Sequence, residues 1–453
     1  MPKKKTALTI EERLQQALVP AEEQPYEVPE NWVWVRLGAV CYASKEKSND
    51  FSNDIKYIGL EHLEKDKGIV GFSSADKVKS TKNAFKEGQI LYGRLRPYLN
   101  KHDITSFDGV CSTDILVFEA TNLVANVLVD KFFNLPFFIE YVVSNSKGIN
   151  LPRVSEETVL NTTFPLPPLS EQQRIVERIE ELFAKLDEAK ERLQEVADSF
   201  AVRKAAILHK AFTGELTKQW RWENGVSDES WEEITWGSFI EKIEAGKNWN
   251  ALGRPPKNGE FGVVKVSAVT WGEFLEDESK TCTEESQWNE EKRISVGDFL
   301  FSRANTIQLV GNCVIVKDVK RKLMLSDKIL RFSFSERVYD FFALWYTRTS
   351  SYRKQIESVA SGNQDGMRNI SQNNMKTIIF PLPTLSEQHE IVRLIDDLLA
   401  RERAAQQATE QALASIDLMK KSILARAFRG ELGTNKASEA SALELLKQVL
   451  AEG

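Results

Sequence analysis

Arginine, lysine, asparagine and glutamine can read a base edge, because each offers a donor, or paired donors or a donor beside an acceptor, in a fixed geometry. Two segments of this chain gather them. In Leu91-Tyr-Gly-Arg-Leu-Arg-Pro-Tyr-Leu-Asn-Lys101 the candidates are Arg94, Arg96, Asn100 and Lys101. In the segment that begins Gly297-Asp-Phe-Leu-Phe-Ser-Arg-Ala-Asn305 they are Arg303, Asn305 and Gln308. Later loops add Arg153 and, far downstream, Asn363, Gln364 and Arg368. Charge reinforces both places. Lys77, Lys79, Lys82, Lys86, Arg94, Arg96 and Lys101 run with Glu87 as their only acid, and Lys317, Lys320, Arg321, Lys322, Lys328 and Arg331 face only Asp318 and Asp327. Such stretches supply phosphate affinity. For any one residue a structural job, such as pairing a nearby Asp, competes with DNA contact, so the clusters weigh more than their members. The net charge of −6 opposes nucleic-acid binding by the chain as a whole, but much of the acid lies in other segments.

Catalytic chemistry is hard to find. An adenine methyltransferase needs an Asn/Asp-Pro-Pro-aromatic loop beside a Gly-rich loop; Asn134-Leu-Pro-Phe137 lacks the first proline and has no Gly-rich partner. No phosphate-binding Gly-Lys-Ser/Thr loop occurs. Asp187-Glu-Ala-Lys190 imitates part of a nuclease motif but sits in a helical repeat, where such charges form a solvated face. His62, His102, His209 and His389 are isolated, and Cys41, Cys111, Cys282 and Cys313 form no metal-ligand spacing. Scattered cysteines and a polar N-terminus without a signal-peptide core suggest a cytoplasmic protein away from membranes.

What positions the candidates is an internal duplication. Phe164-Pro-Leu-Pro-Pro-Leu-Ser-Glu-Gln172 recurs as Phe380-Pro-Leu-Pro-Thr-Leu-Ser-Glu-Gln388 and stays aligned without a gap until Gly214-Glu-Leu216 meets Gly430-Glu-Leu432. A weaker repeat, Glu30-Asn-Trp32 with Gly38 and Glu229-Ser-Trp231 with Gly237, marks where each unit begins. The interiors between these borders resemble each other faintly and read as strand-rich domains ending in a helix, Asp130 to Ser146 in the first and through Tyr346 and Ile356 in the second. After each border comes a long helix. Ser170 is expected to cap the first, with Gln173 completing a capping box. Ile175, Ile179, Leu182, Leu186, Ala189, Leu193, Val196 and Phe200 then form a heptad seam over roughly 40 residues, roughly 60 Å, ending near Gly214. The second helix follows Ser386 with Ile391, Ile395 and Leu398, and its seam weakens at Glu402 and Thr409. Two such helices in one chain most simply pair with each other; pairing between two chains is the competing arrangement. Short amphipathic helices at the two ends, around Leu14 and Leu446, resemble each other and suggest that the termini combine.

The doubled frames, with Cys111-Ser-Thr-Asp114 and Leu309-Val-Gly311 in the interiors, resemble the specificity subunits of type I restriction–modification systems from about Trp32 to Leu432. The resemblance implies an α/β (α+β) chain in which two globular target-recognition domains are separated by a pair of long antiparallel coiled-coil helices. The expected parts are an N-terminal helical arm (1–29), a first recognition domain (30–163), a first repeated region (164–216), a linker and second recognition domain (217–379), a second repeated region (380–432) and a helical tail (433–453). It also implies a non-catalytic subunit that reads a bipartite double-stranded DNA target, one half per domain. The implied partners are two modification subunits, adenine-N6 methyltransferases that hold S-adenosylmethionine, and restriction subunits that use ATP and Mg. The DNA-binding candidates are then Lys77, Lys79, Lys82, Arg94, Arg96, Asn100, Lys101, Arg153, Arg303, Asn305, Gln308, Lys320, Arg321, Lys328, Asn363, Gln364 and Arg368. A coiled-coil scaffold that never touches DNA and a divergent DNA methyltransferase are the alternatives.

Overall fold

A computed structural model describes residues 9–49, 54–77, 80–364 and 367–452. They form two compact units, one of Met1–Gln194 with Gln411–Gly453, the other of Glu195–Glu410. Each therefore holds one interior domain and part of both long helices.

The repeated borders meet within each unit. In the first, Val33–Arg36 pairs antiparallel with Thr163–Leu166, setting Val35 opposite Phe164. In the second, Glu232–Thr235 pairs with Ile379–Leu382, setting Ile234 opposite Phe380. Proline is tolerated in these strands because each pair is a two-stranded ribbon with free edges. Between the borders of the first unit lie a four-stranded and a five-stranded sheet. The four-stranded one runs His102–Ile104, Ile90–Gly93, Ile115–Ala120, Cys41–Ala43. The second unit repeats the scheme with Ile240–Ala245, Ile329–Phe334, Phe299–Ser302 and Cys313–Ile315. The single helices expected after these strands are each two. Asn126–Phe132 and Pro136–Ser144 break where Pro136 lacks the amide to continue, and Asp340–Tyr346 and Ser350–Val359 break where Thr349 caps the latter. Burial pushes the thiols of Cys41, Cys111 and Cys313 up to about 12, which keeps them unreactive.

The long helices span Leu169–Phe212 and Leu385–Ala427. Both start two residues earlier than caps at their serines would set. Ser170 therefore lies inside the helix, and Glu171 and Gln172 donate their amides to the Pro168 carbonyl. Gln173 binds Glu177 instead of closing a capping box. In the second frame Thr384, not Ser386, is the capping hydroxyl, accepting from the Glu387 amide. Gly214 and Gly430 take left-handed backbone just past the ends, as helix-terminating residues do.

Within each unit the two helices run antiparallel. Lys190 reaches Asp417 at 3.4 Å and Lys420 reaches Asp187 in the first; Arg203 meets Glu402 at 2.9 Å in the second. Pairing is thus within one chain. Ile175 and Ile179 are buried, Leu182, Leu186 and Leu193 half-buried, and Ala189 and Val196 exposed. A seam between only two helices leaves its flanks in water, so the heptad pattern overstates burial in the middle. In the second helix Leu399 is more buried than Leu398. The terminal helices Ile10–Ala17 and Ala442–Glu452 share one core, with Arg13 donating to the Leu450 carbonyl.

The frame also contains a buried carboxylate, one per unit. Glu171 accepts from the Trp32 indole at 2.7 Å, Thr434 at 3.0 Å and Asn435 at 2.8 Å. Glu387 accepts from Thr217 and Arg221, both at 2.6 Å, and from the Trp231 indole at 3.1 Å. Each ties together the entry to a domain, the start of one long helix and the segment that follows the other. The neighbouring Gln172 and Gln388 bind the carbonyls of Pro167 and Pro383.

A second network holds the sheet of the second unit. Arg331 grips Glu244 at 2.7 Å and Asp298 at 3.1 Å, and Lys242 and Lys292 also reach Glu244. Burial works to raise the Glu244 carboxyl, but hydrogen bonds from these three cations outweigh it and hold it at about 2. A depressed carboxyl gives stability above its unfolded-state value that is lost as pH falls through the folded one. Acid should therefore weaken the second unit progressively from about pH 4.5 towards 2, and Glu244→Gln should flatten that part of the curve. Denaturant midpoints against pH test this; identical acid profiles for the two proteins would remove Glu244 from the account.

Candidate nucleic-acid interface

In the first unit the strand Ile90–Gly93 runs directly into Arg94. The Arg94 amide donates to the Asp114 carbonyl at 2.9 Å, and its own carbonyl accepts from Val154 at 3.0 Å. Leu95 then bridges to Arg153, and the Arg96 amide donates to Pro152 at 2.7 Å. Three separate sequence segments, 94–96, 112–114 and 152–154, thus form one surface. On it Arg153 is held by Asp114 through contacts of 2.9 and 3.3 Å. Arg96 and Asn100 both have left-handed backbone, at φ 52° and 42°, around the turn Pro97–Leu99. Asparagine accepts that conformation readily; arginine does so at a cost of order 1–3 kcal/mol. The surrounding hydrogen bonds fix the backbone of the loop, and the Arg96 side chain it carries is exposed to solvent.

Asn100 is corrected from reader to buttress. It is buried, and its amide donates to the Phe133 carbonyl at 3.0 Å beside His102, which binds Asp130 at 2.6 Å. Burial would raise the Asp130 carboxyl, but the charge and hydrogen bond of His102 hold it below the ordinary range. Lys101 likewise spends its ammonium on the Leu60 carbonyl at 2.9 Å. Lys82 lies on the five-stranded sheet with its ammonium on Ser80. Lys77 ends a short turn, Ala75–Lys77, and Lys79 lies outside the described residues.

In the second unit the strand Phe299–Ser302 runs into Arg303. The Arg303 amide donates to the Lys328 carbonyl at 3.0 Å and its carbonyl accepts from Ile370 at 2.9 Å. Ala304 pairs with Asn369, and Asn305 with Arg368, at the edge of a hairpin formed by Ser361–Gln364 and Met367–Asn369. That hairpin carries Asn363 and Gln364. Arg368 donates to the Gly362 carbonyl, and Asn305 spends its amide on Thr270 and the Thr306 amide. The Gln308 side chain is exposed. Arg321 is spent on Asp277, Arg331 on Glu244 and Asp298, and Lys320 sits 3.6 Å from Asp318. Two of the six cations of the second basic run, Arg321 and Arg331, are therefore neutralised by acids distant in sequence, which charge counting along the chain does not see.

Against this background three guanidiniums stand apart. Among the described residues Arg94, Arg96 and Arg303 have no hydrogen-bond, ion-pair or ring partner for their side chains, whereas every other arginine has one. All three lie on the two loop surfaces just described.

The type I restriction modification DNA specificity domain matches residues 29–198 and 228–413. The chain belongs to that family. Its two matched stretches each contain one of the loop surfaces. The specificity subunit of the type I restriction enzyme EcoKI from Escherichia coli K12 is similar at 25% identity over 460 residues, covering 94% of this chain and 96% of that protein. That of EcoDI from Escherichia coli is 34% identical over 225 residues, 48% of this chain and 49% of that protein. Among solved structures, the HsdS subunit from Thermoanaerobacter tengcongensis shares the fold, with a TM-score of 0.66 at 22% identity over 90% of this chain and all of that one. As a member of the family, the chain is the DNA-recognition component of a type I restriction–modification system, and it carries the recognition unit twice.

Asn369 escaped the sequence reading. Counting back the same eleven residues from Phe164 and Phe380 reaches Arg153 and Asn369, so the repeat itself held the signal.

Proposed function

We propose that the two domains each read one half of a split duplex target through the loop surfaces around Arg94–Arg96 with Arg153, and around Arg303 with the hairpin of Asn363, Gln364, Arg368 and Asn369. The observation that carries this is the set of three unpartnered guanidiniums, one or two on each surface. A guanidinium left without a protein acceptor keeps its full hydrogen-bonding capacity for phosphate or for guanine. The chain supplies recognition and no chemistry of its own. In the assembled system two modification subunits bring S-adenosylmethionine and methylate adenine N6, and restriction subunits bring ATP and Mg, in the cytoplasm. No helix among the described residues is long and apolar enough to cross a membrane.

Duplexes selected from a randomised pool by the chain with its modification subunits should share two short motifs at a fixed separation. Arg96→Ala should relax one base pair of one motif, at a cost of about 1–3 kcal/mol, and leave the other motif intact. Methylated adenines mapped in cells with and without the gene should fall in the same motifs. A wild-type complex that selects no motif would leave a scaffold without DNA contact as the better reading.

A further inference from the structure

The two loop surfaces are built on the same backbone plan. In both, the last residue of a central strand, Gly93 or Ser302, stands opposite an isoleucine, Ile115 or Ile329. The next residue is an arginine. Its amide donates to the carbonyl just before that isoleucine, Asp114 or Lys328, and its carbonyl accepts from Val154 or Ile370. The following residue, Leu95 or Ala304, bridges to Arg153 or Asn369. Immediately afterwards Ser155 and Ser371 cap equivalent short helices, Glu156–Leu160 and Gln372–Lys376. Arg94 and Arg303 therefore occupy one position, fixed from three sides.

Around that shared arginine almost everything differs. Asp114 is replaced by Lys328, Arg153 by Asn369, Pro152 by Arg368 and Arg96 by Asn305. The charge at the first position reverses, and the second exchanges a guanidinium clamped by a carboxylate for an exposed amide. Two domains so different in their interiors present different donors and acceptors to a base pair. What they meet in common, whatever the sequence, is the phosphate backbone. The arginine that stays constant also lacks any protein acceptor, and in Arg94 the Nε is buried with nothing to bind. A guanidinium without a protein acceptor keeps its outer donors for an incoming anion.

We infer that Arg94 and Arg303 are phosphate clamps that set each recognition domain on the duplex, and that the positions which differ around them, Arg96, Asp114 and Arg153 in one domain, Lys328, Arg368 and Asn369 in the other, determine which bases are read. This deepens the proposed function and rests on it. It also separates Arg94 from Arg96, two residues apart, as having different tasks.

The test uses the full chain assembled with its modification subunits. Arg94→Ala and Arg303→Ala should each weaken binding to the selected duplex and to a scrambled one by a similar factor, about ten- to a hundredfold at low salt. Each should make the dependence of log affinity on log salt shallower by about 1, the signature of one phosphate contact. The motifs recovered from a randomised pool should be unchanged, which also reports that the variant is folded. Arg94→Lys keeps the charge and should recover part of the affinity with the same motifs. A variant that relaxes one base pair while binding scrambled DNA normally would make that arginine a base reader and overturn the inference. Unchanged affinity would overturn it too, by placing the residue off the DNA. Failure of the underlying reading shows elsewhere, in a wild-type complex that recovers no motif.

Discussion

Replacing Glu387 by alanine should cost the second unit about 3–5 kcal/mol and lower its unfolding temperature by about 6–20 °C. The carboxylate is fully buried and receives Thr217, Arg221 and the Trp231 indole together. Removing it leaves a guanidinium that is only 8% exposed without its buried counter-ion; of its remaining partners, Thr217 is neutral and Asp228 sits in water. Breaking a buried pair by deleting one member is far more damaging than the net worth of the pair, because the survivor stays desolvated. Glu171→Ala should injure the first unit by a different route. There the donors are the neutral Trp32, Thr434 and Asn435, and each loses an acceptor at about 1–3 kcal/mol. Glutamine at either position keeps the shape and one acceptor, so it should fall between wild type and alanine. Hydrogen exchange followed by peptide would assign each loss to its unit. If Glu387→Ala melts with wild type, or if the damage appears equally in both units, these carboxylates are not the ties the geometry indicates.

This junction shows what the sequence makes legible and what it hides. The Ser-Glu-Gln triplet is plain as a repeat, and the repeat locates the long helices and both domains. Its meaning is not plain, because Glu171 is satisfied by residues from opposite ends of the chain and no local pattern connects Trp32 to Asn435. The reading loops divide in the same way. Arg94, Arg96 and Arg303 are recognisable by type and by their place after a strand. Asn100 looks equivalent to them in sequence and is not, since its left-handed backbone turns the amide inward to Phe133. Arg321 and Arg331 look free until the fold brings Asp277, Glu244 and Asp298 to them. Helix starts slipped by two residues because the Pro168 carbonyl and the Thr384 hydroxyl, not the expected serine hydroxyls, receive the first amides. Local periodicity dictates elements; which charges remain available depends on contacts between segments far apart in the chain.

The chain passes from the first unit into the second inside one unbroken helix and returns inside another, between Gln194 and Glu195 and between Glu410 and Gln411. If these helices are the ruler between the half-sites, a change in their length should change the gap in the recognised DNA. Four residues inserted after Glu191, matched by four before Asp417 so that the neighbouring Lys190–Asp417 pair can re-form, add roughly 6 Å at about 1.5 Å per residue. At about 100° per residue the same insertion rotates the far end by a net of roughly 40°. One DNA base pair turns about 34° at about 10.5 pairs per turn. Rotation thus suits a gap between half-sites longer by one base pair, while translation alone would suit nearly two. Rotation should dominate, because a loop surface turned away from its groove loses every base contact at once, whereas a few ångströms of stretch can be taken up by the duplex. Methylation mapping of the double-insertion variant should therefore recover both original half-site motifs with the gap increased by one. A variant that remains active and still modifies the original spacing would show that these helices do not measure the distance.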